Sequence, residues 1–260
     1  MRDRSIHITL ALALITILIT NGCSSYRVPG GPAEMSLLGF NEQQRDQHTD
    51  AGIRNILDRK PLAAFPTAIA VARVQASGYS SYTAESWGHG NYSIITVRDV
   101  ETEDQLQRIA DLDGISQIGP INRLMLREKL QDDFELREAA ARMHADMLLV
   151  YTFDTTFDTD DHAAPLTLVT LGLFPSKNVR LATTASAVLM DTRSGYIYGA
   201  AEASAKHKQI ANAWTDDLAV DQSRRKTETT AFEKLVGEFE DLWPKVMTEY
   251  SKADSISVVK

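Results

Sequence analysis

Five residues within nine positions carry the most concentrated polar chemistry in the chain. Asp154, Asp158, Asp160, Asp161 and His162 fall in the stretch DTTFDTDDH. Hard cations take six to eight oxygen ligands, so a run of carboxylates is a candidate calcium loop. The stretch lacks the glycine and the terminal glutamate of an EF-hand loop, and the competing reading is a solvated acidic loop. An acid or base among Asp154, Asp158 and His162 would also suit a hydrolase. His144 falls at the end of an expected helix with no nucleophile paired to it in sequence, and His89, in Trp87-Gly88-His89-Gly90-Asn91, reads as a hairpin tip. No Gly-x-Ser-x-Gly, phosphate loop, His-Glu-x-x-His or dinucleotide fingerprint occurs. The expectation is a non-enzymatic protein with no catalytic residues, no metal site and no cofactor.

Two other groups of residues suit binding. Tyr79, Tyr82, Trp87 and Tyr92 sit among serines and glycines. Aromatics are favoured at interfaces, so Tyr79, Tyr82 and Trp87 are candidate contacts for a glycan or a protein; aromatics also pack across hairpins. The segment Pro165 to Pro175, PLTLVTLGLFP, has no polar face. Either it is buried, or Leu168, Leu171 and Phe174 meet a second copy, a partner or lipid.

The N-terminus supplies an address. Arg2 and Arg4 precede an uncharged apolar stretch, Ile6 to Thr20, which ends at Gly22-Cys23. About fifteen residues is the length of a signal-peptide core and short of the roughly 20 needed to span a bilayer. Cys23 is the only cysteine, so no intrachain disulfide is open to the chain. The formal charge of −8, with no long basic run, argues against nucleic acid as a partner, because neutralising phosphates needs clustered Lys and Arg.

These residues need a scaffold, and the chain spells one. Residues 1–22 read as a signal, 23–60 as a tether with a short helix at Ala51–Asp58, 61–252 as one domain and 253–260 as a disordered tail. Thr67 to Val74 and Tyr92 to Val97 read as strands, Asp99 to Asp111 as an acidic helix, Ile115 to Ile118 as a strand and Ile121 to Leu130 as a helix. Asp132 and Glu135 have capping-box spacing ahead of a helix whose stripe is Leu136, Ala140 and Met143. Met147 to Tyr151 reads as a buried strand. Thr184 to Met190 and Tyr196 to Ser204 make a hairpin around Asp191-Thr192-Arg193-Ser194-Gly195. Asp191 can bond its own backbone there, and Gly195 can take a left-handed conformation. Ile197, Gly199, Ala201 and Ala203 are expected on one strand face under a helix, with Tyr196, Tyr198 and Glu202 opposite. From about Leu218 to Tyr250 apolar residues recur at three and four, with a kink or restart expected at Pro244. The fold class is α/β (α+β): a mixed sheet flanked by helices, with a long C-terminal hairpin and a terminal amphipathic helix.

Several of these stretches carry a resemblance. TAIAVARV, ETEDQLQRIADLDGISQIGPINRLMLREKL, LREAAARMHADMLLVYTF and ASAVLMDTRSGYIYGAAEA follow one another in the order of a family of envelope α/β domains. That family includes the curli secretion channel lipoprotein, the lipoprotein activator of a penicillin-binding protein and the N-terminal domain of TolB. The turn resembles the family's Asp-x-x-Thr-Gly, with Ser194 in place of Thr. His144-Ala145-Asp146 stands where the family often has Gly-Ala-Asp, which would put His144 in a left-handed conformation at a helix end. Gly22-Cys23 resembles a bacterial lipoprotein cleavage site, although Thr20 and Asn21 depart from it, and Ser24 after the cysteine implies outer-membrane sorting. The resemblance implies a lipid-anchored periplasmic protein at the outer membrane that binds a protein or assembles with itself. An envelope hydrolase, or a subunit of a secretion-type oligomer, is the alternative.

Cys23→Ser should leave the protein soluble or unprocessed on membrane fractionation, because each buried acyl methylene contributes about 0.8 kcal/mol to anchoring. Mature protein that still sediments with membranes would show that another element holds it.

Overall fold

The computed structural model describes residues 28–34, 50–161, 175–212 and 217–251. The elements run α1 (Asp50–Leu57), β1 (Thr67–Ala76), β2 (Ser86–Trp87), β3 (His89–Gly90), β4 (Tyr92–Ile95), α2 (Glu103–Ala110), β5 (Ile115–Pro120), β6 (Lys129–Leu130), α3 (Asp133–Arg142), β7 (Met147–Asp161), β8 (Pro175–Asp191), β9 (Ile197–Asn212) and α4 (Asp217–Tyr250). The sheet has the order β2-β4-β1-β7-β8-β9, with β5 also beside β1. β1 is parallel to β5 and β7 and antiparallel to β4, while β7, β8 and β9 form an antiparallel meander. It is the mixed sheet with flanking helices that the sequence leads one to expect.

Alternation along the strands builds two cores. Ile69, Val71, Leu149, Phe153 and Leu189 face α2 and α4, meeting Leu106, Ile109, Phe232, Phe239 and Trp243. Ala70, Ala72, Leu148, Val150 and Met190 face α3, meeting Leu136, Ala139 and Ala140. Gly199, Ala201 and Ala203 lie on the α4 side, and Leu242 comes within 2.9 Å of where a Cβ on Gly199 would stand. Tyr198 is buried on that side as well, whereas Ile197 is exposed. A register shift between Leu189 and Met190 breaks the alternation there and exchanges the faces expected for these two residues.

α3 opens with the capping box, Asp132 accepting from the helix backbone and Glu135 reaching back to Asp132. It closes with Ala145 N donating to Ala140 O and His144 N to Ala141 O, the pairing of a Schellman end. His144 takes φ 57°. The stretch Ile121 to Leu130, expected to be a helix, is a 3-10 turn at Arg123–Met125 followed by the short strand β6. Asn122 caps that turn, and Leu126 and Leu130 are buried in the core beside α3. α4 runs through Pro244 without a break. Its buried face continues across the proline from Trp243 to Val246, and that packing outweighs one missing donor.

The meander is longer than expected. β1 stops pairing with β7 at Val150. The Gln75 side chain then ends the ladder, accepting from Phe153 N at 3.0 Å and donating to Phe153 O at 3.1 Å. Beyond that point β7, β8 and β9 continue as a three-stranded extension. Residues 28–34 are not loose tether: Pro32 bridges Gln75 in antiparallel sense, Ala76 N donates to Gly31 O, and Ala33 N donates to Thr152 Oγ1.

Gly195 holds φ +68°, and an added Cβ would stand 3.0 Å from Arg59 Nη1. Gly195→Val should destabilise the domain by more than about 1 kcal/mol. His144→Gly should raise the melting temperature, by about 0.5–1 kcal/mol in stability, because it relieves the same backbone conformation in a non-glycine residue. Equal melting temperatures for wild type and both variants would contradict the backbone geometry at these sites.

Candidate functional site

The densest polar grouping lies beneath the first half of α4. Arg73 from β1 and Arg224 from α4 are buried, and carboxylates surround both. Arg73 Nη1 stands 2.8 Å from Asp99 Oδ1 and 3.5 Å from Glu101 Oε1, and Nη2 is 3.6 Å from Glu228 Oε2. Arg224 reaches Asp221 at 3.0 Å, Glu228 at 2.5 Å and Asp99 at 3.5 Å. Both guanidiniums donate to Tyr79 Oη at 3.3 Å. Tyr151 donates to Glu101, Thr155 to Glu228 and Thr83 to Asp99. The Arg73 guanidinium also sits 4.8 Å from the centre of the Phe153 ring.

Burial opposes charge on both arginines, but Glu101 and Glu228 around Arg73, and Glu228 and Asp221 around Arg224, hold them protonated. Burial likewise works against an ionised Asp99, and Arg73 with Thr83 keeps its carboxyl below the usual range. Glu228 goes the other way: burial pushes its carboxyl up, and Arg224 and Arg73 only partly offset this. Arg73, Arg224 and Arg225 face Asp99, Glu101, Asp221 and Glu228. The carboxylates exceed the guanidiniums by one, and a proton on Glu228 would balance the set. The cluster lines neither of the two clefts described below, and it joins α4 to the sheet.

The expected sites fall in different places. Tyr79 is inside this cluster and burial raises its hydroxyl pKa, so it offers no stacking face. Tyr92 is buried and donates to Asp132 O. Trp87 is half-buried, packs against the α3-side core and lies under the Arg123 guanidinium at 5.7 Å. Only Tyr82 is well exposed, so the expected surface of Tyr79, Tyr82 and Trp87 is not a single surface. Asp154 and Asp158 are exposed on β7, and Asp160 and Asp161 continue that strand, so this acidic run is not a loop. Four positions along a strand separate Asp154 and Asp158 by about 13 Å, too far to share a proton or an ion. Among the described residues no cluster of His, Cys, Asp and Glu is placed to hold a metal ion. Cys23, His162, Leu168, Leu171 and Phe174 lie outside the described residues.

Asp191 organises the β8–β9 turn. Its Oδ1 accepts from Arg193 N and Ser194 N, and its Oδ2 accepts from Leu62 N and Tyr198 Oη. Burial would raise its pKa, but these donors hold it below the usual range. Beside the turn is a cleft of about 200 Å³ lined by Ile56, Arg59, Asp133, Met190, Tyr196 and Ile197. Ile53 and Leu57 on α1, Leu62 after it and Phe134 beside Asp133 are exposed at this end. The sequence marks the apolar face of α1, but not that Ile53 and Leu57 on it are exposed. A second cleft, beside α2 and β5, includes Arg98, Glu103, Gln107 and Pro120.

The charge cluster also leaves a sign in the sequence spacing. Arg73 is a lone charge in the apolar strand TAIAVARV, and a buried charge requires partners. Asp221, Arg224 and Glu228 continue, at three and four, the stripe of Phe232, Leu235 and Phe239.

No protein-family model matches the chain, and no curated protein matches it either. The solved structures that match are distant. A Xanthomonas campestris protein of the DUF330 family shares 9% identity at a TM-score of 0.36, covering 72% of this chain and 90% of its own. Lipoprotein GNA1162 of Neisseria meningitidis shares 11% at 0.29, covering 62% and 97%. A lipoprotein candidate of Caulobacter crescentus shares 12% at 0.24, covering 44% and 80%.

Arg224→Met should lose about 3–5 kcal/mol in urea melts, because it leaves Asp99, Glu101, Asp221 and Glu228 with only Arg73 and Arg225 as charge partners. Glu228→Gln removes a charge but can keep the acceptor for Thr155, and should lose less. The folded state holds the Glu228 proton more tightly than the unfolded chain does. Ionising Glu228 therefore destabilises the wild type as pH rises above the ordinary glutamate range. The stability of Glu228→Gln relative to wild type should accordingly improve from pH 4.5 to pH 7. A difference independent of pH would place Glu228 outside this linkage.

Proposed function

We propose that the chain is a lipoprotein anchored through Cys23 to the periplasmic face of the outer membrane, where its domain acts as a non-enzymatic protein-binding or assembly factor. The kinship with the curli channel lipoprotein, the penicillin-binding-protein activator and TolB belongs to the same reading. Arg2 and Arg4, the apolar stretch that follows and Gly22-Cys23 support the address.

The observation that carries the reading is how residues 28–34 lie on the domain. Pro32 pairs antiparallel to β1, so the chain leading back to Cys23 departs in the direction in which β7 runs towards Asp161. Cys23 is nine positions before Pro32, a reach of at most about 31 Å. An anchor on Cys23 would suit an orientation with the distal end of the β7–β9 extension towards the membrane. The cleft at the Asp191–Gly195 turn, with the exposed side chains of α1 around it, is at the other end of these strands. In this orientation the apolar end of the domain faces away from the membrane and is open to a partner.

The alternatives gain less support. A hydrolase built on Asp154, Asp158 and His162 would need groups brought together, and the first two are spread along a strand. The extension does offer longer strands than a channel reading was expected to find. The part of its inner face nearest the core, however, meets α4, where Thr155 donates to Glu228 and Thr183 is buried.

Cross-linking pulldown of the lipidated protein from its native envelope tests the reading. Ile53→Asp with Leu57→Asp should leave the fold intact, since both side chains are exposed, and should remove the captured partner. An unchanged capture profile would remove α1 from the partner surface. A purified protein that turns over cell-wall or phosphate-ester substrates, and loses this with Asp158→Asn, would favour the hydrolase.

A further inference from the structure

We propose that the outer edge of β9 pairs with the same edge of a second copy, joining two sheets about a two-fold axis centred on Ser204. β9 is the last strand of the sheet order, and among the described residues no strand pairs with its outer side. From Gly199 to Ala211 its register with β8 is regular, without a bulge, and it contains no proline. Bulges, prolines, short length and edge charges, lysine above all, are the usual means of blunting such an edge, whose open N–H and C=O groups otherwise template another strand; of these β9 has only Lys206 and Lys208.

The backbone phase of this edge is visible. Lys234 Nζ donates to Ser204 O at 2.8 Å, so the Ser204 carbonyl points away from β8. In an antiparallel ladder outward-pointing residues recur every second position, which makes them Ala200, Glu202, Ser204, Lys206 and Lys208. Lys234 is itself exposed and can leave the edge without uncovering a core.

Charge then narrows the register. Glu202, Lys206 and Lys208 are all exposed on the face opposite α4. With Ser204 opposite Ser204, Glu202 of each copy meets Lys206 of the other, and the two-fold repeats the pair. On the α4 side Ala203 meets Ala205, both small. Sliding the strands four residues one way sets Glu202 against Glu202, and four the other way sets Lys206 against Lys206; sliding by two sets Glu202 against Ser204 or against Lys208, and the Lys206 reversal and the Ser204→Cys trap below separate these registers from the one proposed. Opposite charges across strands stabilise a pair and like charges oppose it. Within its own chain Glu202 accepts from Ser186 Oγ on β8, a bond it would exchange for the Lys206 ammonium of the second copy. An isologous contact of this kind closes at two copies and leaves the cleft at the turn free for a different partner. The inference sharpens the assembly role proposed above but does not depend on Cys23.

The mature, lipidated protein in detergent is the material for the test, with light scattering giving its protein mass. A dimer is expected. Glu202→Lys or Lys206→Glu alone should weaken dimerisation at least tenfold, and the two together should restore it. Ser204→Cys should form an intermolecular disulfide under mild oxidation, since this register sets the two positions opposite each other. A monomer at about 100 μM would overturn the proposal. So would a dimer indifferent to both single charge reversals, or one that Ser204→Cys fails to trap. Circular dichroism melts of each variant exclude unfolding as the cause. Loss of anchoring in Cys23→Ser with dimerisation intact would separate a failure of the address from a failure of the edge.

Discussion

α4 stays on the sheet through two different kinds of contact, and the buried charge network is the one on which the upper half of the molecule depends. From Phe232 onward the helix buries aromatic and aliphatic side chains against β7 and β8. Before that point the same face carries Asp221, Arg224 and Glu228. They meet Arg73 from β1 and Asp99 and Glu101 from the segment before α2. Tyr151 and Thr155 join β7 to the same network. Four separate parts of the chain are thus fixed to one another by groups that cannot be left unpaired in the interior.

What the strands present to α4 explains why long polar side chains fill this region. Gly199, Ala201, Ala203 and Ala205 on β9, with Ala185 and Ala187 on β8, let the helix approach closely. Further along, Thr155 and Thr183 place hydroxyls on that face. A helix side chain arriving there meets acceptors and donors rather than an apolar wall. Glu228 accepts from Thr155 there, and Arg224 holds Glu228 in place.

The sequence made the local devices legible and concealed the long-range ones. The capping box of Asp132 and Glu135 and the turn of Asp191 and Gly195 could be read because each is complete within a few residues. The central strands could be read from their apolar runs. The true length of β7 could not, because DTTFDTDD looks like a polar loop. Its alternation, Asp154, Thr156 and Asp158 against Thr155 and Phe157, is nonetheless a strand pattern with one wet face. The stretch Ile121 to Leu130 misled in the opposite direction. Its spacing suits a helix, but Asn122 caps a single 3-10 turn and Leu130 is drawn into the core beside α3. Tyr79 read as an interface residue because its neighbours are polar. Its partners, Arg73 and Arg224, are respectively nearby and far off in sequence, and only the fold brings the two together.

The charge network is better understood as fixing position than as supplying net stability. Replacing a buried ion network by well-packed apolar residues is often neutral or stabilising, so stability alone gives no reason to bury Arg224. An apolar helix face can slide by a turn over alanines and threonines with little loss. Arg224 cannot: moved by one turn, about 5.4 Å, it leaves Asp99 and Tyr79 behind. Only one placement of α4 satisfies Arg73, Arg224 and their carboxylates together. That placement also sets Lys234 against Ser204 and Leu242 over Gly199. The position of the helix along β9, and hence how much of that strand's edge stays open, follows from a handful of charges at its N-terminal half.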